Sequence, residues 1–267
     1  MDQTAMTPDP AGYDAYKPAV IAALVEDAGV AKCRLPFLQL AALGALAGAF
    51  IALGSMVFTL VMTGADPGFG PARLLGGVAF SLGLILVIVG GAELFTGNAL
   101  VVMAWVDRRV TAGDLLRNWT VVWSANFAGA LAMVAAAWLA GLLDGAMAGT
   151  AARIATAKLA LPPVEAFFRA VLCNMLVCLA VWLTFGARTA AGKILAIIWP
   201  ITAFVALGLE HSIANMYLIP AGFAAGAPVD LAGFAANMAI VTLGNVAGGA
   251  GGVALAYWTA CGRYRAD

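Results

Sequence analysis

Residues 208–220, GLEHSIANMYLIP, hold the side chains of this sequence that are best suited to proton chemistry. His211 is the only histidine among 267 residues, with Glu210 beside it and Asn215 four positions further on. An imidazole titrates near neutral pH and can pass a proton to an anion. The alternative is a neutral core histidine that hydrogen-bonds a carbonyl group. Both readings depend on the elements that position this segment.

A second segment repeats part of this pattern. Residues 91–98, GAELFTGN, place Glu93 and Asn98 in the register of Glu210 and Asn215, 117 positions earlier in the chain. Leu94 stands where the second segment has His211, so the histidine is the feature that the two segments do not share. After each segment comes a pair of asparagines eight positions apart: Asn118 and Asn126, then Asn237 and Asn245.

Both segments interrupt long apolar runs. The chain is 63% hydrophobic and 10% charged, with a mean hydropathy of +0.96, which indicates a polytopic membrane protein. We predict an all-α fold with six transmembrane helices, at about 37–62, 72–106, 115–142, 164–185, 192–222 and 231–257. The second and fifth spans are too long for one straight crossing, and the two segments lie inside them.

Three spans followed by three more must run in opposite orientations. The pattern therefore predicts an inverted 3+3 repeat, with repeats at about 36–142 and 163–258 and interrupted second and fifth helices. Interrupted helices at matching positions of two halves are typical of a central binding site. A break at membrane depth must be buried in protein or line a wet cavity.

The acids and amides of the breaks need partners at that depth. We expect Glu93, Asn98, Glu210, Asn215, Asn126 and Asn245 to be structural, with each carboxylate accepting hydrogen bonds from freed N–H groups or from the asparagines. Direct contact of the carboxylates with substrate is the alternative. For His211, its place at a helix break favours the functional reading over the core histidine.

The distribution of charges along the chain predicts its orientation in the membrane and its division into segments. Ten of thirteen loop cations fall on one side if the N-terminus is inside, which predicts cytoplasmic termini. We divide the chain into an N-terminal segment (1–35), a channel domain (36–260) and a tail (261–267). Residues 18–31 predict an interfacial helix, with Glu26 and Asp27 opposite its apolar stripe.

The sequence shows no signal peptide, no zinc spacing among its four cysteines and no basic block for nucleic acid, and it predicts neither metal nor cofactor.

At these residues the sequence resembles the formate/nitrite transporter family. The matching stretches are GAELFTGNAL, CNMLVCLAVW, EHSIANM and TLGNVAGG, with AKLALPPVEAF before the fourth span. They occur in the family's order, and the resemblance runs from about residue 17 to residue 258. The stretch GFGPARLLGGVAFSLGLIL is closer to the formate branch than to the nitrite branch.

The resemblance implies an aquaporin-like bundle in the cell inner membrane, assembled as a homopentamer with one pore in each protomer. It implies passage of small monovalent anions such as formate and nitrite. It also gives site residues: His211 as the central histidine, Thr96 in the interrupting loop, Asn174 nearby and Lys158 in the outer vestibule. The constrictions would be formed by Phe80, Leu84, Phe95, Val177 and Phe204.

We therefore expect a channel or transporter in the lipid bilayer that passes protons and small anions, with His211 protonating the weak-acid anion. A member of the same family that prefers nitrite or hydrosulfide is the alternative, and a channel for water or glycerol is a further one. We do not expect an enzyme, because His211 and Ser212 are adjacent and lack an in-membrane partner for hydrolysis.

Overall fold

The computed structural model describes residues 15–228 and 230–262. Two sequence-based expectations fall partly outside this range: the N-terminal segment, of which residues 1–14 are not described, and the tail with Arg263 and Arg265. Within the described residues the fold is helical. The helices are α1 Pro18–Cys33, α2 Phe37–Val61, α3 Gly70–Gly90, α4 Val102–Val106, α5 Ala112–Leu139, α6 Gly145–Leu159, α7 Pro163–Gly186, α8 Ala190–Ala206, α9 Ser212–Ala224 and α10 Leu231–Val246.

Shorter helical turns extend two of these elements. A 3₁₀ turn, Gly97–Val101, leads directly into α4, and π turns at Ala247–Leu255 and Trp258–Gly262 continue α10. The span that includes α10 therefore runs from Leu231 to Cys261.

Five helices in the described part of the chain are long and apolar enough to cross a membrane: α2, α3, α5, α7 and the extended α10. The predicted fifth span is divided into α8 and α9, and neither half reaches that length alone. The predicted second span is divided as well, since α3 ends at Gly90 and the chain is irregular up to Thr96. The protein is an integral membrane protein whose apolar helices carry two breaks.

Each break begins at a glycine with a left-handed backbone. Gly91 has φ +82° and caps α3 through its N–H to the Val87 carbonyl, while Gly208 has φ +68° just after α8. Residues with a Cβ adopt this conformation at a steric cost, so glycine lets the helix stop abruptly. The second break ends where the His211 side chain caps α9.

The bundle is tight because glycines lie against the backbone of neighbouring helices. A methyl carbon built on Gly129 of α5 would lie 1.9 Å from the Ala45 carbonyl oxygen of α2. One built on Gly248, just after α10, would lie 2.1 Å from the Val171 carbonyl oxygen of α7. Small residues of this kind allow close helix contact within membranes.

The expectation for α1 is wrong in one respect. Glu26 does not lie opposite the apolar stripe but is buried with Ile21 and Val25, at 1% exposure. Its Oε2 lies 3.6 Å from Arg109 Nη1, and Arg109 also binds the exposed Asp27. Because a cation from the loop after α4 reaches Glu26, the carboxylate can lie on the packed face.

Candidate functional site

The two helix breaks meet in a hydrogen bond between Thr96 and His211. Thr96 Oγ1 and His211 Nε2 are 2.9 Å apart, and both residues are buried. His211 Nδ1 accepts the backbone N–H of Ala214, which caps the start of α9. Because Nδ1 is an acceptor, a neutral ring carries its proton on Nε2 and donates it to Thr96. The Thr96 hydroxyl keeps its own proton for a further acceptor.

Aromatic rings surround the imidazole on one side. The Phe204 ring is stacked on His211 at 5.8 Å between centroids, and Phe80 meets Phe204 edge-on at 5.4 Å. Phe80 and Phe204 are nearly fully buried. These rings place an apolar wall next to the imidazole.

The first break is held by a charged network. Glu93 accepts a hydrogen bond from Lys32 Nζ at 2.6 Å through Oε1, and one from Asn98 Nδ2 at 2.8 Å through Oε2. Asn98 also donates to Asn118 Oδ1 at 3.0 Å, and Asn118 donates to the Lys32 carbonyl at 3.3 Å. The carboxylate is thus paired both by a cation and by an amide.

The second break has the same network in its own half. Glu210 accepts from Lys158 Nζ at 2.9 Å and from Asn215 Nδ2 at 2.8 Å. Asn215 donates to Asn237 Oδ1 at 2.9 Å, and Asn237 donates to the Lys158 carbonyl at 3.3 Å. Each atom type and each step of the first network has its counterpart here.

One further asparagine serves each break. Asn126 accepts the Phe95 N–H at 3.0 Å and donates to the Gly44 and Glu93 carbonyls at 2.7 and 2.9 Å. Asn245 accepts the Ser212 N–H at 2.8 Å and donates to the Ala170 and Glu210 carbonyls. Both amides thereby satisfy the backbone groups that the breaks set free, as buried polar groups require.

Sequence reasoning missed the lysine of the first network, Lys32, and the helix that supplies Lys158 to the second. Lys32 and Lys158 are each the penultimate residue of a helix, α1 and α6, and α6 was not predicted at all. Each helix directly precedes a long apolar helix, α2 or α7. The match between the two halves therefore begins before residues 36 and 163, where the predicted repeats start.

Two cavities approach the Thr96–His211 bond from opposite ends of the bundle. The first, of about 480 Å³, is lined by Lys32, Glu93 and Asn98, by Leu43 near the start of α2 and by Phe185 near the end of α7. The second, of about 260 Å³, is lined by Lys158, Glu210 and His211, by Phe58 near the end of α2 and by Arg169 near the start of α7.

The residues expected at the constrictions are divided between these regions. Leu84 lines the first cavity, and Phe80 and Phe204 line the second. Phe95 and Val177 belong to the buried core and line neither of the two cavities. A layer of buried side chains therefore separates the two cavities.

Asn174 lies beside this layer. Its Nδ2 donates to the Thr96 carbonyl at 3.2 Å and to the Asn245 carbonyl at 2.6 Å, and its Oδ1 has no hydrogen-bond partner in the described residues. The side chain therefore connects the first break to the end of α10. Among those residues there is also no group of three or more acids, cysteines or histidines arranged for a metal ion.

Comparison with known proteins gives a consistent result. The model of the family described as "Formate/nitrite transporter" matches residues 19–259. "Uncharacterized transporter YrhG" of Bacillus subtilis (strain 168) is 43% identical over 249 residues, covering 91% of this chain and 93% of that protein. "Formate channel FocA" of Escherichia coli (strain K12) is 37% identical over 269 residues, covering 92% and 94%.

The fold of this chain is also similar to that of a solved channel structure. "Pentameric formate channel with formate bound" superposes with a TM-score of 0.78 at 35% sequence identity, covering 84% of this chain and 97% of that one. Both breaks and the helices from α2 to α10 fall within the residues that the family model matches.

Proposed function

The chain belongs to the formate/nitrite transporter family, and we propose that it carries small monovalent anions, formate first, in a pH-dependent way through His211. The observation that carries this proposal is the Thr96–His211 bond, at 2.9 Å, between two cavities from opposite ends of the bundle. A solute that passes from one cavity to the other must pass these two side chains.

The apolar layer sets the physical problem. An anion that leaves water for a dry constriction loses hydration worth several kcal/mol or more. Leu84, Phe80 and Phe204 offer it no hydrogen bond, whereas the Nε2–H of His211 and the hydroxyl of Thr96 are donors at the centre. The start of α9 adds the positive end of a helix next to His211.

In our proposal the anion crosses the layer as its neutral acid. An imidazolium and a formate give a neutral imidazole and formic acid, with the proton leaving Nε2. A second proton on the ring would occupy Nδ1 and displace the Ala214 N–H that caps α9. We infer that the ring takes up this proton only while an anion lies against Nε2. Proton uptake is then coupled to the presence of substrate.

We also propose the membrane arrangement. In it, α8 and α9 form one interrupted crossing, which gives six crossings in an aquaporin-like inverted 3+3 repeat. The matched networks around Glu93 and Glu210 support this symmetry. With the end that carries α1 in the cytoplasm, both termini are cytoplasmic and Lys158 faces the outer vestibule of an inner-membrane protein.

A homopentamer, like that of the similar pentameric formate channel, completes the arrangement. Glycines packed against carbonyl groups within one protomer already close its bundle tightly, so the pore of the proposal lies inside each protomer. The outward-facing apolar side chains, such as Leu38 and Trp199, are then available to lipid and to neighbouring protomers.

Nitrite is the second candidate substrate, since the family description includes it. The test is uptake by proteoliposomes of the purified protein, comparing formate, nitrite and glycerol between pH 5 and 8. Entry of formate or nitrite that increases with acidity, with glycerol excluded, supports the proposal. Entry of glycerol without pH dependence would instead identify a neutral-solute channel.

A further inference from the structure

We propose that Arg73 and Arg169 form a separate anion-binding site at Gly208, at the edge of the second cavity. This inference rests on the proposed function only in taking the transported class of anion as its ligand. A methyl carbon built on Gly208 would lie 2.9 Å from Arg73 Nη2 and 3.5 Å from Arg169 Nη1. Two guanidinium groups, one from α3 and one from α7, thus converge on a point where the chain has no side chain.

Arg169 is fixed in place by its contacts. Its Nη1 donates to the Gly208 carbonyl at 3.0 Å, and its Nη2 forms an ion pair with Glu165 one helical turn away. A guanidinium carries five N–H donors, so these two bonds leave others free. The glycine carbonyl positions the group, and Glu165 offsets its charge.

Arg73 is the uncompensated cation of the site. It is half-buried and forms no ion pair with any acid in the described part of the chain. The other charges that line this cavity form a pair of their own, Lys158 with Glu210. With both pairs neutral, the charge of Arg73 leaves the edge of the cavity positive.

The chemistry of the ligand follows from the two groups. A guanidinium binds planar anions with two oxygens, such as carboxylates and nitrite, through parallel N–H···O bonds. An anion between Arg73 and Arg169 would also relieve the repulsion of two close cations. The absence of a side chain at Gly208 makes room for the Arg73 guanidinium against the backbone, and the φ of +68° disfavours any residue whose Cβ would displace it.

Such a site would act before the central step. It would raise the anion concentration at the entrance to the second cavity, which also holds His211. We therefore expect it to lower the half-saturating concentration for transport from that side and to leave the maximal rate unchanged.

The test uses the full chain in proteoliposomes and, separately, in detergent. Arg73→Gln should raise the half-saturating formate concentration from the second-cavity side by about threefold, at an unchanged maximal rate. It should also weaken the saturation-transfer NMR signal of the formate proton on purified protein. Arg73→Lys keeps the positive charge but lacks the paired N–H donors of a guanidinium. Its half-saturating concentration and its NMR signal should lie between those of wild type and Arg73→Gln. Arg153→Gln removes an exposed cation of α6 that binds Thr150 and should change neither value.

The outcomes separate this site from the proposed function. Arg73→Gln with wild-type half-saturation and NMR signal, or with a lower maximal rate alone, would overturn the site. If wild type carries neither formate nor nitrite but Arg73→Gln still loses saturable formate binding, the site stands and the proposed function fails.

Discussion

Thr96 Oγ1 and His211 Nε2 lie 2.9 Å apart, so one hydrogen bond joins two helix breaks that are separated by more than a hundred residues of sequence. Both breaks are supported independently by their own Glu–Asn network. The bond therefore fixes the position of one break relative to the other at the centre of the bundle. The effect of removing it on stability and on uptake can be measured directly.

Thr96→Val removes the hydroxyl and keeps the shape of the side chain. We expect it to leave the Nε2–H of a buried imidazole without an acceptor, which costs about 1–3 kcal/mol, and to lower formate uptake by about tenfold. The checks are thermal unfolding of the purified protein and uptake by proteoliposomes. Thr202→Val is the matched control, because the buried Thr202 hydroxyl has no hydrogen-bond partner in the described residues. A Thr96→Val protein with the stability and uptake of Thr202→Val would refute this role.

The two lysine–glutamate pairs can be tested by removing one partner or both. Lys32→Met leaves the Glu93 carboxylate in place without its cation, and we expect this to lower stability by about 1–3 kcal/mol, since the lysine is partly exposed. Lys32→Met combined with Glu93→Gln should recover part of that loss. Thermal unfolding measures both, and Lys17→Met, an exposed lysine at the start of α1, serves as control. Equal stability of Lys32→Met and Lys17→Met would contradict the pairing.

Close approach of α7 to the π turns after α10 depends on Gly248. Gly248→Ala would place a carbon 2.1 Å from the Val171 carbonyl oxygen, so the helices could not keep their distance. We expect little correctly assembled protein by size-exclusion chromatography. Gly251→Ala lies in the same turns with open space around it and should assemble normally. Normal assembly of both variants would mean that the contact is not required.

Packing of α1 on the bundle predicts that the thiol of Cys33 is alkylated slowly. Burial first, then the Asp114 and Glu93 carboxylates, raise the pKa of Cys33 from 9.0 to about 11. At pH 8 this pKa lowers the fraction of Cys33 that is present as thiolate about a hundredfold, compared with a thiol of ordinary pKa. The thiolate fraction, and with it the alkylation rate, should increase about tenfold for each pH unit up to pH 10. Alkylation followed by mass spectrometry measures this, with the half-exposed Cys261 as internal reference. Cys33 modified as fast as Cys261 at pH 8 would show that α1 detaches.

Several features of the site could be predicted from the sequence because the breaks carry side-chain signals. The shared register of Glu93 with Glu210 and of Asn98 with Asn215 located both interruptions. In the structure, the asparagine of each break donates a hydrogen bond to the glutamate of the same break. An acid and an amide five positions apart can do this only where the helix is broken, and that is why the pattern was informative.

Other features left no comparable signal. Gly44 and Ala170 differ in side chain, yet each offers the same carbonyl group to an asparagine. Because a backbone carbonyl acts in the same way under any side chain, α2 and α7 can correspond in structure while their sequences resemble each other only weakly. The α6 helix was missed because its glycines, alanines and threonines form no apolar stripe.

Glu26 was misplaced for a related reason. Periodicity alone assigned it to the polar face of α1, but its partner Arg109 lies in the loop after α4. A long-range ion pair is not visible in a local pattern, and it allows an acid to lie on a packed face.

The central claim is that His211 makes anion passage depend on pH. His211→Asn is the most direct test, because asparagine can still cap α9 while it cannot titrate. We predict that formate uptake by wild-type proteoliposomes increases as the pH falls from 8 to 5, and that His211→Asn loses this dependence while it remains folded and assembled. A His211→Asn protein whose uptake follows the wild-type pH profile would contradict the account.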